Sequence, residues 1–228
     1  MAQVFLPHHV HFCYRGDAVV FLDLAKDDYT FVGPEGAAAL RCLTSRESNV
    51  PSPEQSAALD EMLNGGLLTI DRRVGRAVAP TVTTSATQPL LDDEAVTAAR
   101  ASASHLCNFF VASTMADARL RWGQLHRTIA RVQQRKAKRS AATPLDLDRA
   151  RELVAIFSRL RSLFPRRYLC LYDSLALIEF LSRYGIFPSW VFAVRLEPWA
   201  AHCWVQEAGY IFNEELEEAA GFTPVMAI

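Results

Sequence analysis

The run LYDSLALIEFLSRY, Leu171 to Tyr184, is apolar on nearly every side of a helix and stops at Gly185. A helix without a polar face has to be buried on all sides. The residues on either side of it supply the cover. Past Gly185 the helical period gives way to three strand-like runs, FPSWVFAVRL, AHCWVQE and YIFNEE. Upstream, Asp92 to Arg139 reads as helical, with Trp122, Leu125, Ile129 and Val132 spaced along one face. A further helix starts at Pro144 and carries Ala150, Leu153, Val154, Phe157, Leu160 and Phe164 up to Pro165. Helices followed by an antiparallel sheet make this half α+β. The basic end of the long stretch, RVQQRKAKR, reads as a solvated helix C-terminus that complements the macrodipole.

The first 76 residues have a different rhythm. Two or three β-rich runs between His9 and Gly33 are broken at Arg15-Gly16-Asp17 and Lys26-Asp27-Asp28, which reads as hairpin turns. Pro34 and Glu35 open an alanine-rich helix to about Leu43. Ser52-Pro53-Glu54-Gln55 has the form of a capping box with proline at the first helical position, and the helix it opens ends at Gly65-Gly66. GLLTI then reads as a short terminal strand. Three strands and small helices suggest a winged-helix-like module. The Thr-, Ala- and Pro-rich stretch after it has no period and reads as a linker. The organisation expected is therefore residues 1–76 as one domain, 77–92 as linker and 93–228 as the second domain.

Several function classes are excluded early. The net charge of −1 gives no electrostatic case for nucleic acid or an anionic membrane. The first domain has few Lys or Arg, against a DNA-binding regulator. No apolar run approaches the roughly 18 residues of a membrane span. The five cysteines are odd in number, scattered and without CxxC spacing, so neither a zinc site nor a thioredoxin-like site is indicated, and a reducing cytoplasm is expected. His8, His9 and His11 lack a partnering Cys or carboxylate at metal spacing, so no metal site is expected.

One constellation carries chemistry. Cys170 stands at the start of the buried helix, after Arg166-Arg167. A helix N-terminus presents free N–H groups and partial positive charge, which favour thiolate over thiol. Arg167 is placed to add charge. His202 lies in the following strand region, and Gly209 returns the chain so that Asn213-Glu214 comes alongside it on the next strand. A carboxylate or amide there would hold the second ring nitrogen and fix the tautomer. Cys13, Cys42 and Cys107 have no such setting, and strand alternation points Cys203 to the face opposite His202.

These residues resemble a known pattern. RRYLCLYDSLALIEFLSRYGI together with the later AHCWVQEAGYIFNEE is similar to the B proteins of lasso peptide biosynthesis, transglutaminase-like cysteine peptidases that remove the leader of a ribosomal precursor. Their pattern runs R-x-x-C-L-x-x-S-L-A-L, a glycine, H-A-W-V-E, then N-D. Arg167, Cys170, Ser174, Gly185, His202, Trp204 and Asn213 match it. Cys203 stands where the pattern has alanine, Gln206 where it has glutamate, and Glu214 where it has aspartate. The resemblance implies catalysis by Cys170, His202 and Glu214, supported by Arg167, Asn213, Ser174 and Trp204. It implies a papain- or transglutaminase-like domain and, as partners, the precursor peptide and an asparagine-synthetase-like cyclase that uses ATP. No cofactor site is visible in this chain itself.

AVVFLDLAKDDYTFVGPEGAAALRCL likewise resembles the PqqD-like modules that recognise leader peptides. That likeness implies that a leader adds as a strand along Asp28, Tyr29, Thr30, Phe31 and Val32, with Leu59, Met62 and Leu63 of the adjoining helix beside it. Two other uses of the chain stand beside leader removal. One is acyl transfer to an amine by the same triad. The other is a non-catalytic leader-binding adaptor for the cyclase.

Overall fold

A computed structural model describes residues 3–44, 51–139 and 145–228. The expected helix start at Pro144 lies outside them. The chain divides into two compact units. The first holds Met1–Thr83 with Ala193–Ala200 and Thr223–Met226; the second holds Thr84–Phe192, Ala201–Phe222 and Ala227–Ile228.

In the first unit, β1 (Leu6–Pro7), β2 (Val10–Arg15), β3 (Ala18–Asp23) and β4 (Asp28–Val32) precede α1 (Pro34–Thr44), α2 (Pro53–Asn64) and β5 (Gly75–Arg76). The antiparallel sheet has the order β2-β3-β4, with Phe12 opposite Phe21 and Phe21 opposite Thr30. Both hairpins turn where expected, and Gly16 takes the left-handed conformation its two-residue loop requires. Phe12, Val19, Phe21, Leu40, Leu59 and Met62 form the core. Gly36 lets α1 pass close to the sheet, since a Cβ there would lie 2.2 Å from Val32 Cγ1. The Ser52–Gln55 capping box makes both of its hydrogen bonds. GLLTI, however, does not become a strand. Only Thr69 forms a bridge, to Phe5, and the strand that pairs with Leu6–Pro7 is β5. His11 packs against Arg76, and burial followed by that charge pushes its imidazole down to about 4.

The second unit starts within the expected linker. Residues 77–92 are tied down on both sides of the boundary. Thr81 N–H donates to Phe12 O within the first unit. In the second, β6 (Gln88–Pro89) pairs in parallel with β9 and Leu90 N–H donates to Ile211 O. A stretch without period can still be ordered when its backbone finds partners.

The helices are α3 (Asp93–Ala98), α4 (Ala103–Trp122), α5 (Leu125–Arg139), α6 (Leu147–Arg161), α7 (Cys170–Ser182) and α8 (Leu216–Ala220). The strands β7 (Ser189–Leu196), β8 (Trp199–Glu207), β9 (Tyr210–Ile211) and β10 (Thr223–Ala227) join β6 in a sheet of order β10-β7-β8-β9-β6. α7 is buried along most of its length, as its composition requires. The expected face of Trp122, Leu125, Ile129 and Val132 does not hold together. The helix breaks at Gly123, which leaves Trp122 84% exposed while Ile129 and Val132 are buried. The basic run is also not simply solvated. Glu179 of α7, 2% exposed, receives Arg119 of α4 and Arg135 of α5, the latter at 2.9 Å through Nη1. Lys136 Nζ donates to Ser189 Oγ at 2.6 Å. Among the described residues no helix is long and apolar enough to cross a membrane.

Candidate active site

Cys170 is the first residue of α7. Its position is fixed by a knot of polar contacts that the sequence did not disclose. Arg161, at the end of α6 and 3% exposed, pairs through Nε with Asp173. Its other nitrogens donate to the carbonyls of Phe164, Arg166 and Arg167. Asp173 in turn accepts from Leu169 N–H at 2.7 Å, capping the helix start that Leu169 has no side chain to cap. Phe164 stacks on Tyr172, and Arg166 lies over the same ring. The segment from Phe164 to Leu169 is thereby held on both ends, and the thiol is carried at a defined place.

β8 brings the rest. Strand alternation puts His202 on a face with Trp204, ring centroids 6.0 Å apart, and Phe222 packs on the imidazole at 5.2 Å. Cys203 points inward to α7, where its sulfur lies 4.0 Å from Ser174 Oγ. A two-residue turn, Ala208–Gly209, both with positive φ, reverses the chain so that Gln206 pairs with Ile211. Glu214 comes in a bend beyond β9, not on the strand expected for it. It nevertheless reaches His202, with Oε2 on Nε2, and its Oε1 accepts from Glu215 N–H. With Nε2 engaged, Nδ1 is the ring nitrogen left for Cys170.

The charges arise from these contacts. Hydrogen bonds from the Cys203 side chain and from His202 pull the Cys170 thiol down to about 4, against burial. Cys170 and Glu214 together lift His202 to about 9, again against burial. The bond to His202 holds Glu214 below the usual carboxylate range. At neutral pH the pair is therefore thiolate and imidazolium, the reactive form of a cysteine nucleophile. Alkylation of Cys170 by iodoacetamide is expected to persist as pH falls from 7 and to be lost only near pH 4. An ordinary cysteine, with a pKa of about 8.5, loses reactivity well above that. A pH profile of Cys170 labelling read by mass spectrometry checks this.

Two expectations need correction here. Arg167 is exposed, its carbonyl rather than its guanidinium is engaged, and it is not among the groups that move Cys170. The charge comes from His202. Cys203 does point away from the His202 face, but the inward face is the one that meets Cys170, through both its side chain and its backbone N–H. Ser174 and Asn213 act as a brace. Ser174 Oγ donates to Cys203 O at 3.3 Å and accepts from Asn213 Nδ2 at 3.1 Å, while Asn213 Oδ1 accepts from Val205 N–H at 2.8 Å. Trp204 is buried, with its indole N–H on Gln206. A cavity of about 620 Å³, bounded by Phe157, Arg161, Tyr168, Asp173, Asn213 and Glu214 among others, flanks the carboxylate side of the site without including Cys170.

The residues expected to contact a leader divide. β4 lies at one edge of its sheet and Phe31 is 58% exposed, with Asp28 also exposed and Tyr29, Thr30 and Val32 partly so. Leu59 and Met62 are instead buried in the core of the first unit, because α2 turns that face onto the sheet; only Leu63 of the three is partly exposed.

No curated protein and no solved structure matches this chain. A model of the Transglutaminase-like superfamily matches residues 110–227, just over half of the sequence and the part that carries Cys170, His202 and Glu214. With the fold and this geometry in place, the chain belongs to the transglutaminase-like superfamily.

Proposed function

We propose that this chain is a cysteine endopeptidase that removes the leader from a ribosomally made lasso precursor in the cytoplasm. The observation that carries the reading is the thiolate–imidazolium–carboxylate line of Cys170, His202 and Glu214 in a transglutaminase-like domain. The Cys170 thiolate attacks the scissile carbonyl, forming a C–S bond. His202 gives its proton to the leaving nitrogen, so the core departs with a free amine. Water, deprotonated by His202, then releases the leader from the thioester. Glu214 orients the imidazole and balances its charge. A separate ATP-using cyclase joins the freed amine to an acidic side chain.

The N-terminal residues 1–76 capture the leader. A leader could add as a further strand at a sheet edge, and β4 stands at one edge with the exposed Phe31 ring beside it. Capture on the same chain raises the effective concentration of the cleavage site.

Purified protein mixed with precursor is expected to yield two fragments whose masses sum to precursor plus water. Adducts, or loss of ammonia, would instead identify acyl transfer, which the same triad can perform. An intact precursor would overturn both. Phe31→Ala is expected to raise KM for the precursor by about tenfold, from lost apolar burial, with kcat unchanged.

A further inference from the structure

We propose that Cys203 is a resolving thiol that makes the site reversibly responsive to peroxide through a Cys170–Cys203 disulfide. The inference rests on Cys170 being the reactive thiol of the function proposed above, but not on its substrate. The resembling lasso pattern has alanine at this position, which could not do this chemistry.

The geometry assigns the two sulfurs different tasks. Cys170 is partly exposed and Cys203 is 3% exposed, so a peroxide meets Cys170 first. The Cys203 sulfur lies 4.0 Å from Ser174 Oγ, and Ser174 stands one helical turn after Cys170 on the same face of α7, so the inward thiol sits beside the start of the helix where a resolving thiol is needed. No other cysteine enters the site: Cys13 lies in the first unit, with its Sγ near Thr223 O, and Cys42 and Cys107 sit on α1 and α4. Around Cys203 stand two polar groups, Ser174 Oγ as acceptor of its S–H and the Trp190 indole as donor. Ser174 Oγ is 4.0 Å from its sulfur, and Trp190 lies beside it with a fully buried indole N–H that makes no ordinary hydrogen bond among the described residues. Burial and the neighbouring Cys170 thiolate push the Cys203 thiol well above its ordinary range, and Trp190 and Ser174 offset only part of this. The Cys203 proton therefore leaves as its sulfur attacks, not beforehand.

The chemistry balances with hydrogen peroxide as oxidant. The Cys170 thiolate attacks one peroxide oxygen; an S–O bond forms, the O–O bond breaks and hydroxide leaves. The Cys203 sulfur then attacks the Cys170 sulfur. An S–S bond forms, the S–O bond breaks, and the departing hydroxide takes the Cys203 proton as water. Two thiols are oxidised and one peroxide is reduced. The disulfide shields Cys170 from irreversible oxidation, and a dithiol reductant restores it.

The test treats the full chain with hydrogen peroxide at neutral pH, blocks remaining thiols with N-ethylmaleimide and maps the digest by mass spectrometry. The expected product is a linked pair of peptides containing Cys170 and Cys203, lighter by two hydrogens. Dithiothreitol should then return iodoacetamide labelling of Cys170. In Cys203→Ala, confirmed folded by circular dichroism, Cys170 should pass to sulfinic and sulfonic acid, with recovery at least about tenfold lower. Cys203→Ser serves if the alanine variant does not fold. Absence of the linked pair in the unaltered protein, or equal irreversible loss with and without Cys203, overturns the proposal. A reduced protein that leaves precursor intact yet still forms the linked pair would sink the peptidase reading and leave this one standing.

Discussion

Cys170→Ala is expected to leave the precursor uncut, with single-turnover cleavage falling by about 10⁴- to 10⁶-fold. Among the described residues, the alanine removes the one cysteine sulfur that both interacts with His202 and is partly exposed. His202→Ala should cost a comparable amount for a different reason. It deletes the proton donor to the leaving nitrogen and one of the two groups that hold the thiolate. Its signature is therefore separable. Cys170 would remain present in His202→Ala, but its labelling midpoint would move up from about 4. The double variant should be no slower than either single one, since residues that act as a unit do not add. Glu214→Gln belongs to the same series, because an amide can hold the ring but cannot balance an imidazolium. Cleavage by Cys170→Ala at even a few per cent of the original rate would mean that another group is the nucleophile.

Arg161→Ala is expected to lower stability by about 3–5 kcal/mol, the usual cost of removing one partner of a buried ion pair. The loss is compounded by geometry. One guanidinium serves Asp173 and three backbone carbonyls at 3.1–3.3 Å, and all four acceptors would be stranded together. Arg161→Lys should recover little, because a single ammonium cannot span acceptors that a planar fork reaches at once. Replacing both partners by apolar residues should recover more than lysine does, since no charge is then left alone. Urea midpoints measure each step. A midpoint change in Arg161→Ala worth less than about 1 kcal/mol would place the pair among surface-like ion pairs that contribute little. Cys170 labelling should slow in the same variants, because the start of α7 loses its tether.

The chain itself made the chemistry easier to read than the scaffold. Cys170, His202 and Glu214 could be placed because each sits at a change of period: a helix start, a strand, and the far side of a glycine turn. Capping signals worked for the same reason, as with Ser52 and Gln55, whose bonds are local. What was missed depends on partners distant in sequence. Arg161 is ordinary in its own helix and becomes decisive only when Asp173 and three carbonyls converge on it. Trp122 continues a helical period that Gly123 cuts short. Gln88–Pro89 has no strand pattern, and it is a strand only because β9 offers an open edge. Cys203 shows the limit of alternation as a guide. The rule gave its direction correctly, and only the packing of α7 revealed that this direction led to Cys170 rather than away from it.

Glu179 has a consequence for how the helices can assemble. Its carboxylate is almost wholly removed from water, and the compensating charges come from α4 and α5 rather than from its own helix. Docking α7 alone would strand a charge, while α4 and α5 brought together without it would crowd two guanidinium groups. Neither partial structure is comfortable, so the three helices are cooperative by construction. Part of their stability is shared, and melting α7 alone would take from Arg119 and Arg135 the carboxylate that both engage.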